Sequence, residues 1–423
     1  MTMKSGILSI LVATALSGTC PLSLPAGDWP QFLGPGRNGI SPESGLINPI
    51  PNGGPKVAWR TPLGPGMSGI AVHSGLAVTM FQTDTAQIVV GLDAESGKEQ
   101  WRTSVAPAYE NAMGNGPRAT PAIDGQQILA FTGEGILVAL SRESGKLLWS
   151  VNVPEALAGV PAEYGVACSP VLTETTVIVQ SGTTKAAVSA WDRQTGKLIW
   201  KAGSGNAGYS SPILTSLAGV PQLVVFDASG VSGLDPDRGT ELWNYPFPTE
   251  YDCNTANPVQ ISDRQILVSA GENHGAVILE IQKSASGLLA EPVWTSLGKD
   301  SQLRAEWQTP VILNDHLYGL DNSGSAGPIT NLVCIRLSDR KTVWQKTRFG
   351  KGNLILADGR LWISTMKGEL VVVDATPDEF RETHRSTVLE TTRQAPSLAK
   401  GFLFLRDDKD VVCLDVRGSA KAR

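Results

Sequence analysis

The chain has 423 residues, of which 41% are hydrophobic and 18% are charged, a balance that supports a folded core and argues against disorder. The formal net charge is −5 and no basic stripe runs along the chain, which argues against a nucleic-acid partner. The 45 glycines and 27 prolines are typical of many short strands joined by tight turns.

Residues 1–26 are predicted to be a signal peptide. Lys4 supplies a positive charge, and residues 7–16 (ILSILVATAL) form an apolar run that is too short to span a bilayer. A lipid anchor at Cys20 is not expected, because Thr19 and Ser17 stand where lipoprotein signals carry a small residue and a leucine. No later stretch is long enough for a transmembrane helix. We therefore expect export to the periplasm or cell envelope of a bacterium.

One phrase occurs four times, as GLDAESGKEQW (91–101), ALSRESGKLLW (139–149), AWDRQTGKLIW (190–200) and GLDPDRGTELW (233–243). Each copy predicts a hairpin corner followed by an outer strand that ends in tryptophan. The corner needs a residue with positive φ, which explains the glycines, and the aspartates are expected to accept turn N–H groups. These residues are Gly97, Gly145, Gly196 and Gly239, with Asp93, Asp192 and Asp235.

The tryptophans that end these units give the period of the repeat. They are Trp59, Trp101, Trp149, Trp200, Trp243, Trp294 and Trp344, with spacings of 42, 48, 51, 43, 51 and 50 residues. Four short strands repeating at this period predict a β-propeller, with each tryptophan filling the gap between neighbouring blades. These seven residues are interpreted as structural.

The count of blades follows from the two ends of the chain. The last unit (401–417) lacks an outer strand, whereas residues 56–63 form an outer strand with no blade before it. We therefore predict an all-β fold: an eight-bladed propeller of four-stranded antiparallel blades, closed by the N-terminal outer strand, which leaves no free sheet edge. The propeller is expected to span residues 56–417, after an extension at 27–55 and before a tail at 418–423. Most innermost strands begin with proline as their second residue, as in TPAI (120–123) and SPVL (169–172).

The repeated phrase, the four-strand unit and the eightfold count resemble the pyrrolo-quinoline quinone (PQQ) repeat propellers of the quinoprotein alcohol dehydrogenase-like superfamily. The resemblance covers residues 56–417, and DWPQFLGPGRNG (28–39) is also similar to the start of many exported bacterial propellers. Non-catalytic relatives include the scaffold lipoprotein of the outer-membrane assembly machinery. The resemblance is specific for the fold and does not by itself define an activity.

For the enzymes of the superfamily, the resemblance implies PQQ in the central funnel, a Ca²⁺ beside it, an aspartate base and a disulfide between adjacent cysteines. Here Cys168, Cys253, Cys334 and Cys413 lie far apart, and no calcium-binding set can be assigned. We therefore expect no cofactor and no metal. The alternative is bound PQQ with Ca²⁺, whose carboxylates would meet Arg118, Arg304 or Lys351.

Function is expected in the residues that do not repeat. The loops leading into the innermost strands are expected to surround one end of the channel. We call them the mouth loops: 108–121, 161–170, 203–212, 248–258, 298–310, 348–353 and 390–397. They place aromatic side chains beside polar and charged ones, as recognition surfaces do. The predicted ligand-binding residues are Tyr109, Arg118, Glu163, Tyr164, Tyr209, Tyr251, Asp252, Asn254, Arg304, Glu306 and Trp307. The hairpin GENHG (271–275) adds Glu272 and His274, a pair that could act as a general base or as ligands.

The sequence therefore predicts an exported, non-catalytic binding or scaffold module with a protein, peptide or glycan ligand at the mouth loops. No catalytic residue is assigned, because no Ser-His-Asp order, phosphate loop or HExxH motif occurs. The alternative function is a PQQ-dependent oxidoreductase that acts on alcohols or sugars, in which PQQ would carry out the redox chemistry.

Overall fold

The structure is a computed structural model that describes residues 27–183, 185–285, 287–324 and 329–418. The predicted signal peptide and all but the first residue of the predicted tail lie outside these ranges. The described chain folds into eight four-stranded antiparallel sheets arranged as the blades of a propeller, as predicted. One short helix, α1 (Val153–Ala156), and two 3₁₀ turns, Glu250–Asp252 and Gly298–Asp300, interrupt the strands.

The strands follow the chain from the innermost to the outermost position of each blade. The first strand, β1 (Lys56–Pro62), belongs to the last blade and closes the ring. Blades 1 to 4 contain β2 (Ala71–His73), β3 (Leu76–Gln82), β4 (Ala86–Asp93) and β5 (Glu99–Pro107); β6 (Ala122–Ile123), β7 (Gln127–Phe131), β8 (Ile136–Ser141) and β9 (Leu147–Asn152); β10 (Val171–Leu172), β11 (Thr176–Thr183), β12 (Ala186–Asp192) and β13 (Leu198–Ala202); and β14 (Ile213–Leu217), β15 (Val220–Phe226), β16 (Gly230–Leu234) and β17 (Glu241–Pro246).

The remaining blades repeat the same order. Blades 5 to 8 contain β18 (Val259–Gln260), β19 (Gln265–Ala270), β20 (Gly275–Ser284) and β21 (Gly287–Leu297); β22 (Val311–Leu313), β23 (His316–Ser323), β24 (Ile329–Arg336) and β25 (Lys341–Lys346); β26 (Gly352–Ala357), β27 (Arg360–Thr365), β28 (Glu369–Asp374) and β29 (Glu382–Thr387); and β30 (Ser397–Ala399), β31 (Phe402–Arg406) and β32 (Asp410–Asp415) with β1.

The ring closes as the sequence predicts, because β1 pairs antiparallel with β32 and becomes the outer strand of blade 8. Lys56 lies opposite Asp415 and Pro62 opposite Asp410 in this register. The first and last described strands of the propeller are therefore held in one sheet, and β32 is not left as an open edge.

The core lies between blades as well as within them. Strands of the second position, such as β3, are buried along their whole length, whereas outer strands such as β9 alternate between partly buried and exposed residues. Seven apolar clusters each join neighbouring blades; one of them packs β3 and β4 of blade 1 against β7 and β8 of blade 2. Burial of both faces of each sheet explains the near-continuous apolar runs of the inner strands.

The repeated phrase forms the predicted corners. The four corner glycines have φ between 68° and 71°, and Oδ1 of Asp93 accepts the Ser96 N–H at 2.8 Å. The preceding blade's tryptophan packs on each glycine, so that a Cβ at Gly196 would lie 2.7 Å from the ring of Trp149. The glycine therefore provides both the positive φ and the space for the aromatic ring.

Most blade tryptophans also donate a hydrogen bond to the next blade. The indole N–H of Trp149 donates to the Arg193 carbonyl at 2.8 Å, and that of Trp344 donates to the Thr376 carbonyl at 2.8 Å. Trp59, Trp101 and Trp200 make the equivalent bonds to Ala94, Arg142 and Pro236. Trp243 differs, because its indole donates to the Gln222 side chain of its own blade. Five of the seven tryptophans therefore bond across a blade boundary, where the sequence predicts that the blade tryptophans lie.

Candidate functional site

The N-terminal extension enters the central channel and closes it from one side. Trp29 is 1% exposed and forms a two-way backbone bridge with Val72 of blade 1, with both N···O distances at 2.8 Å. Further along, the Ser41 N–H donates to the Leu356 carbonyl of blade 7 at 2.8 Å. We call residues 27–47 the plug, and the side from which it enters, where the repeated corners lie, the corner face. The sequence predicted this extension without a structural role.

Arg37, near the middle of the plug sequence, bonds the plug to two blades of the propeller. Its guanidinium is fully buried and donates to the carbonyls of Pro212, Pro170 and Ser169, each at 3.0 Å, and to Gln31 Oε1 at 3.1 Å. Burial lowers the pKa of Arg37 to about 10, so the side chain is still cationic at neutral pH. One buried cation therefore ties the plug to blades 3 and 4.

Above the plug, the mouth loops enclose a funnel with a cavity volume of about 390 Å³. The plug forms its floor through Trp29, Phe32 and Leu33. The loop residues around it come from blade boundaries on all sides, as expected if loops entering the inner strands converge on one end of the channel. Six predicted site residues line this funnel, namely Arg118, Tyr164, Tyr209, Tyr251, Glu272 and Trp307.

Aromatic and cationic side chains form the upper wall of the funnel. The rings of Tyr164 and Tyr209 lie with their centroids 5.7 Å apart. Lys351 Nζ lies 4.5 Å and the Arg393 guanidinium carbon 5.3 Å from the centroid of Trp307. This combination can hold planar or apolar groups and can attract negative charge.

The backbone at the rim is held in a sparsely populated conformation. Tyr209, Tyr251 and Asp252 have φ values of 73°, 64° and 56°, a region that residues other than glycine rarely adopt. Positive φ also occurs at turn residues outside the funnel, such as Ser74 and Asn314, so this conformation shapes the rim but does not by itself mark a binding site. Burial raises the pKa of the Tyr209 hydroxyl, which therefore remains a neutral donor.

Tyr109 supports the funnel from behind. The Arg118 guanidinium carbon lies 5.1 Å from the centroid of the Tyr109 ring. Arg118 itself donates to the carbonyls of Gly116 at 2.7 Å and Gly114 at 2.8 Å. Burial lowers the pKa of Arg118. These contacts orient the arginine beside the funnel.

Other predicted residues are occupied by contacts within the fold. Asn254 is fully buried and donates to the Asp227 carbonyl at 2.6 Å, and Asp252 accepts a bond from Asn206 at 2.8 Å. Arg304 makes a two-pronged ion pair with Asp321, at 2.7 Å for each prong. These side chains hold the mouth loops and do not line the funnel.

The remaining candidates are placed at its edge. Glu306 is paired with Lys351 at 2.8 Å, and Glu163 is exposed on a mouth loop. His274 packs edge-on against Phe247 with ring centroids 4.4 Å apart. Burial lowers the pKa of His274. The structure thus brings Glu272 into the funnel and His274 against a buried aromatic ring.

Several funnel residues were not predicted individually. They include Met67, Met113, Cys253 and Arg393, together with the plug residues and hydroxyl side chains such as Ser211. Met113, Cys253 and Arg393 lie in mouth loops, so a treatment of every side chain in those loops would have found them. Burial, with nearby Glu272 and Glu306, raises the pKa of the Cys253 thiol to about 11. This thiol is therefore protonated at neutral pH and a weak nucleophile.

The donor set fits only part of a PQQ–calcium site. Arg118, Arg393 and Lys351 could meet the carboxylates of PQQ. Across the described ranges, however, no group of three or more His, Cys, Asp and Glu side chains could hold a metal ion, and Cys168, Cys253, Cys334 and Cys413 are free thiols. The residues present do not assemble the Ca²⁺ site that the resemblance implied.

No helix in the part of the chain that the structure describes is long and apolar enough to cross a membrane. The fold, the repeated corners and the central funnel together define a propeller of the PQQ-repeat class. A family model described as outer membrane protein assembly factor BamB matches residues 85–346. The match covers more than half of the chain, and the chain belongs to this family.

Individual relatives fall into two groups. The chain is 32% identical to quinohemoprotein alcohol dehydrogenase ADH IIB of Pseudomonas putida over 121 residues, which are 27% of this chain and 17% of that protein. It is 22% identical to outer membrane protein assembly factor BamB of Moranella endobia over 311 residues, which are 68% of this chain and 72% of that protein. The chain therefore spans less than a fifth of the dehydrogenase.

Among solved structures, quinohemoprotein alcohol dehydrogenase from Comamonas testosteroni is similar with a TM-score of 0.67 at 14% identity, covering 94% of this chain and 82% of that one. At this identity the likeness shows the shared fold alone.

Proposed function

We propose that the protein is an exported, non-catalytic binding or scaffold module of the bacterial envelope, which takes a protein, peptide or glycan ligand at its mouth loops. The observation that carries the proposal is the funnel, which the plug closes at one end. Three tyrosines, one tryptophan and two arginines surround this floor. Aromatic anchors with arginine are typical of recognition surfaces.

The chemistry of the funnel supports binding over catalysis. Glu306 is paired with Lys351, and the Cys253 thiol is protonated at neutral pH, so neither group is poised as a base or a nucleophile. The match to a BamB protein extends over 72% of that protein's length, and its name describes an assembly factor of the outer membrane. The signal predicted at residues 1–26 supports export.

Photocrosslinking in the native envelope tests this proposal. A photoreactive residue at Tyr251, which is 57% exposed at the rim of the funnel, is expected to form discrete adducts. The same residue at Glu143, exposed at a corner of blade 2 on the opposite face, is the matched control. Adducts from Glu143 alone, or equal adducts from both positions, would contradict the proposal.

A second candidate function is PQQ-dependent oxidation of an alcohol or sugar. The local identity to a quinohemoprotein alcohol dehydrogenase favours it, as do the three cations beside the funnel. Titration with PQQ, with and without Ca²⁺, followed by a dye-reduction assay tests it. Saturable one-to-one binding with dye reduction would support the oxidoreductase. Binding without dye reduction would show that the protein binds PQQ but does not act as an oxidoreductase.

A further inference from the structure

Blades 2 and 3 expose aliphatic side chains where their outer strands begin. These are Leu147 and Leu148 on β9 and Leu198 and Ile199 on β13, each between 41% and 52% exposed. We call these four residues the aliphatic rim. Single exposed aliphatic residues are common on folded proteins, but a contiguous group of them is typical of a contact with another surface.

The two pairs of the aliphatic rim are neighbours on the circumference of the propeller. Trp149, which follows Leu148, packs on Gly196 of the next blade, where a Cβ would lie 2.7 Å from its ring. Its indole N–H also donates to the Arg193 carbonyl at 2.8 Å. Leu198 follows Gly196 by two residues. The start of β9 therefore lies against the corner that leads into β13, and the four side chains belong to one surface.

The fold does not require aliphatic residues at these positions. In blade 1 the corresponding residues are Glu99 and Gln100, and Gln100 is the extra residue of a β-bulge in the outer strand. Leu148 and Ile199 are the corresponding bulge residues of β9 and β13. Because blade 1 folds with two polar residues there, the aliphatic rim needs an explanation other than folding.

The bulges also indicate how a partner would make contact. A β-bulge interrupts the hydrogen-bonding ladder and twists an edge strand, which discourages another strand from pairing with it. The outer edges of blades 2 and 3 are therefore poorly suited to backbone pairing with a second protein. A partner would contact the side chains instead, as a lipid surface does.

Positive charge accompanies the aliphatic rim. Residues 142–150 and 192–201 carry five basic side chains against the two acidic side chains of Glu143 and Asp192, whereas the whole chain has a net charge of −5. One of the five, Arg193, pairs with a carboxylate of blade 2. The surface around the rim is thus locally basic on an acidic protein, which favours a negatively charged partner.

Three exposed lysines place this charge next to the aliphatic side chains. Lys146 directly precedes Leu147, Lys197 directly precedes Leu198, and Lys201 lies further along β13. A lysine can lay its methylene groups along an apolar surface while its ammonium group reaches outward. Lysines beside exposed aliphatic residues match the boundary of an anionic bilayer, where acyl chains lie directly beneath phosphate groups.

We propose that the aliphatic rim is a peripheral contact with an anionic lipid surface, which holds the propeller by its edge. The four aliphatic side chains enter the boundary between headgroups and acyl chains, and the lysines contact the lipid phosphates. The mouth loops stay free, because the outer strands begin at the corner face, at the opposite end of the blades. This inference goes beyond the proposed binding function and does not depend on it.

Flotation with lipid vesicles tests the contact. Vesicles of phosphatidylglycerol and phosphatidylethanolamine in equal amounts are compared with vesicles of phosphatidylcholine, which carries no net charge. We expect at least roughly tenfold tighter binding to the anionic vesicles, and weaker binding as salt rises, because salt screens the lysines. Equal binding to both kinds of vesicle, or no flotation with the anionic ones, would overturn the proposal.

A matched pair of double variants locates the contact. Leu148→Gln with Ile199→Gln introduces the side chain that blade 1 already carries at the bulge. Leu289→Gln with Val293→Gln is the control, because these two residues are exposed to a similar extent on β21 of blade 5. We expect roughly tenfold weaker binding to anionic vesicles for the rim variant and less than about a twofold change for the control. Both keep the apolar run 7–16, so a difference between them comes from the rim, and equal losses would contradict the proposal.

Two further results separate a lipid surface from other occupants. Lys146→Gln with Lys197→Gln is expected to remove most of the preference for anionic vesicles, and an unchanged preference would count against the proposal. A dimer in solution that dissociates in Leu148→Gln with Ile199→Gln, without flotation of the unmodified protein, would assign the rim to a second copy of the chain instead.

The lipid contact and the proposed binding function fail separately. A photoreactive residue at Glu143 lies beside the rim and is expected to form lipid adducts, which mass spectrometry distinguishes from protein, peptide or glycan adducts at Tyr251. Adducts at Tyr251 without flotation would remove only the lipid contact. Flotation that depends on the rim, without adducts at Tyr251, would keep the lipid contact and contradict a macromolecular ligand at the mouth loops.

Discussion

At the scale of single residues, the aspartate, glycine and tryptophan of the repeated phrase each have a structural explanation. The glycine adopts positive φ, the aspartate accepts turn N–H groups, and the tryptophan of the preceding blade packs where a Cβ would otherwise stand. Local rules predicted these roles because all of them depend on a few adjacent residues and one contact that recurs with the period.

We expect Gly196→Ala to be more destabilising than Gly359→Ala. Both glycines have positive φ, 68° and 70°, but a Cβ at Gly196 meets Trp149 at 2.7 Å, whereas nothing lies within 4 Å at Gly359. Gly359→Ala is expected to cost about 1 kcal/mol of unfolding free energy, and Gly196→Ala about 3 kcal/mol, because the ring must also move. Urea unfolding measures both. Equal losses of unfolding free energy would show that the close contact with Trp149 does not restrict the residue at position 196.

His274 is expected to make stability depend on pH. Burial lowers its pKa below the ordinary value of 6.5, so the unfolded chain takes up a proton that the folded chain resists. The stabilisation is complete above the unfolded pKa and is lost as pH falls through it towards the folded pKa. His274→Gln should therefore narrow the difference between the urea midpoints at pH 8 and pH 5. Parallel pH curves for the two proteins would refute this account.

At the scale of elements, the strands were predictable and the plug was not. Short apolar runs separated by glycine turns identify strands from local sequence. The plug depends on Arg37, whose acceptors lie 132 to 175 residues away in the chain apart from Gln31, and no local pattern encodes such contacts. For the same reason the sequence placed Arg304 in the site. In the structure Arg304 pairs with Asp321 on β23 and does not line the funnel.

The plug is expected to contribute measurably to stability through Arg37. Arg37→Lys keeps the charge but loses the planar fork that reaches carbonyls of two blades, so we expect a loss of about 2 kcal/mol. Arg238→Lys is the control, because the Arg238 side chain is 80% exposed and should change stability by less than about 0.5 kcal/mol. Denaturant unfolding measures both variants. Equal effects would mean that the plug is not held by this residue.

At the scale of the whole molecule, closure makes the ends of the chain depend on each other. Trp59 on β1 packs against Phe404 of its own blade 8 at 5.9 Å and donates to Ala94 of blade 1. The sequence predicted this closure from a simple mismatch, one outer strand without a blade and one blade without an outer strand. It could not predict which mouth-loop side chains meet, because these depend on rare backbone conformations at Tyr209 and Tyr251.

Trp59→Ala should be as destabilising as the same change at another blade boundary. We expect a loss of about 3 to 5 kcal/mol for both Trp59→Ala and Trp344→Ala, since each removes an interblade indole and its hydrogen bond. Thermal unfolding and size-exclusion chromatography measure stability and oligomer formation. A neutral Trp59→Ala beside a damaging Trp344→Ala would show that the ring does not rely on its closing strand.

The central claim is that the repeat builds the ring while the residues that do not repeat carry function. Amide hydrogen exchange tests it most directly, on protein isolated from the envelope with its bound partner and again after the partner is removed. The account predicts slower exchange with the partner bound in the mouth loops 161–170 and 248–258, and unchanged exchange at the corner 141–146. Protection at the corner, with the mouth loops unaffected, would contradict it.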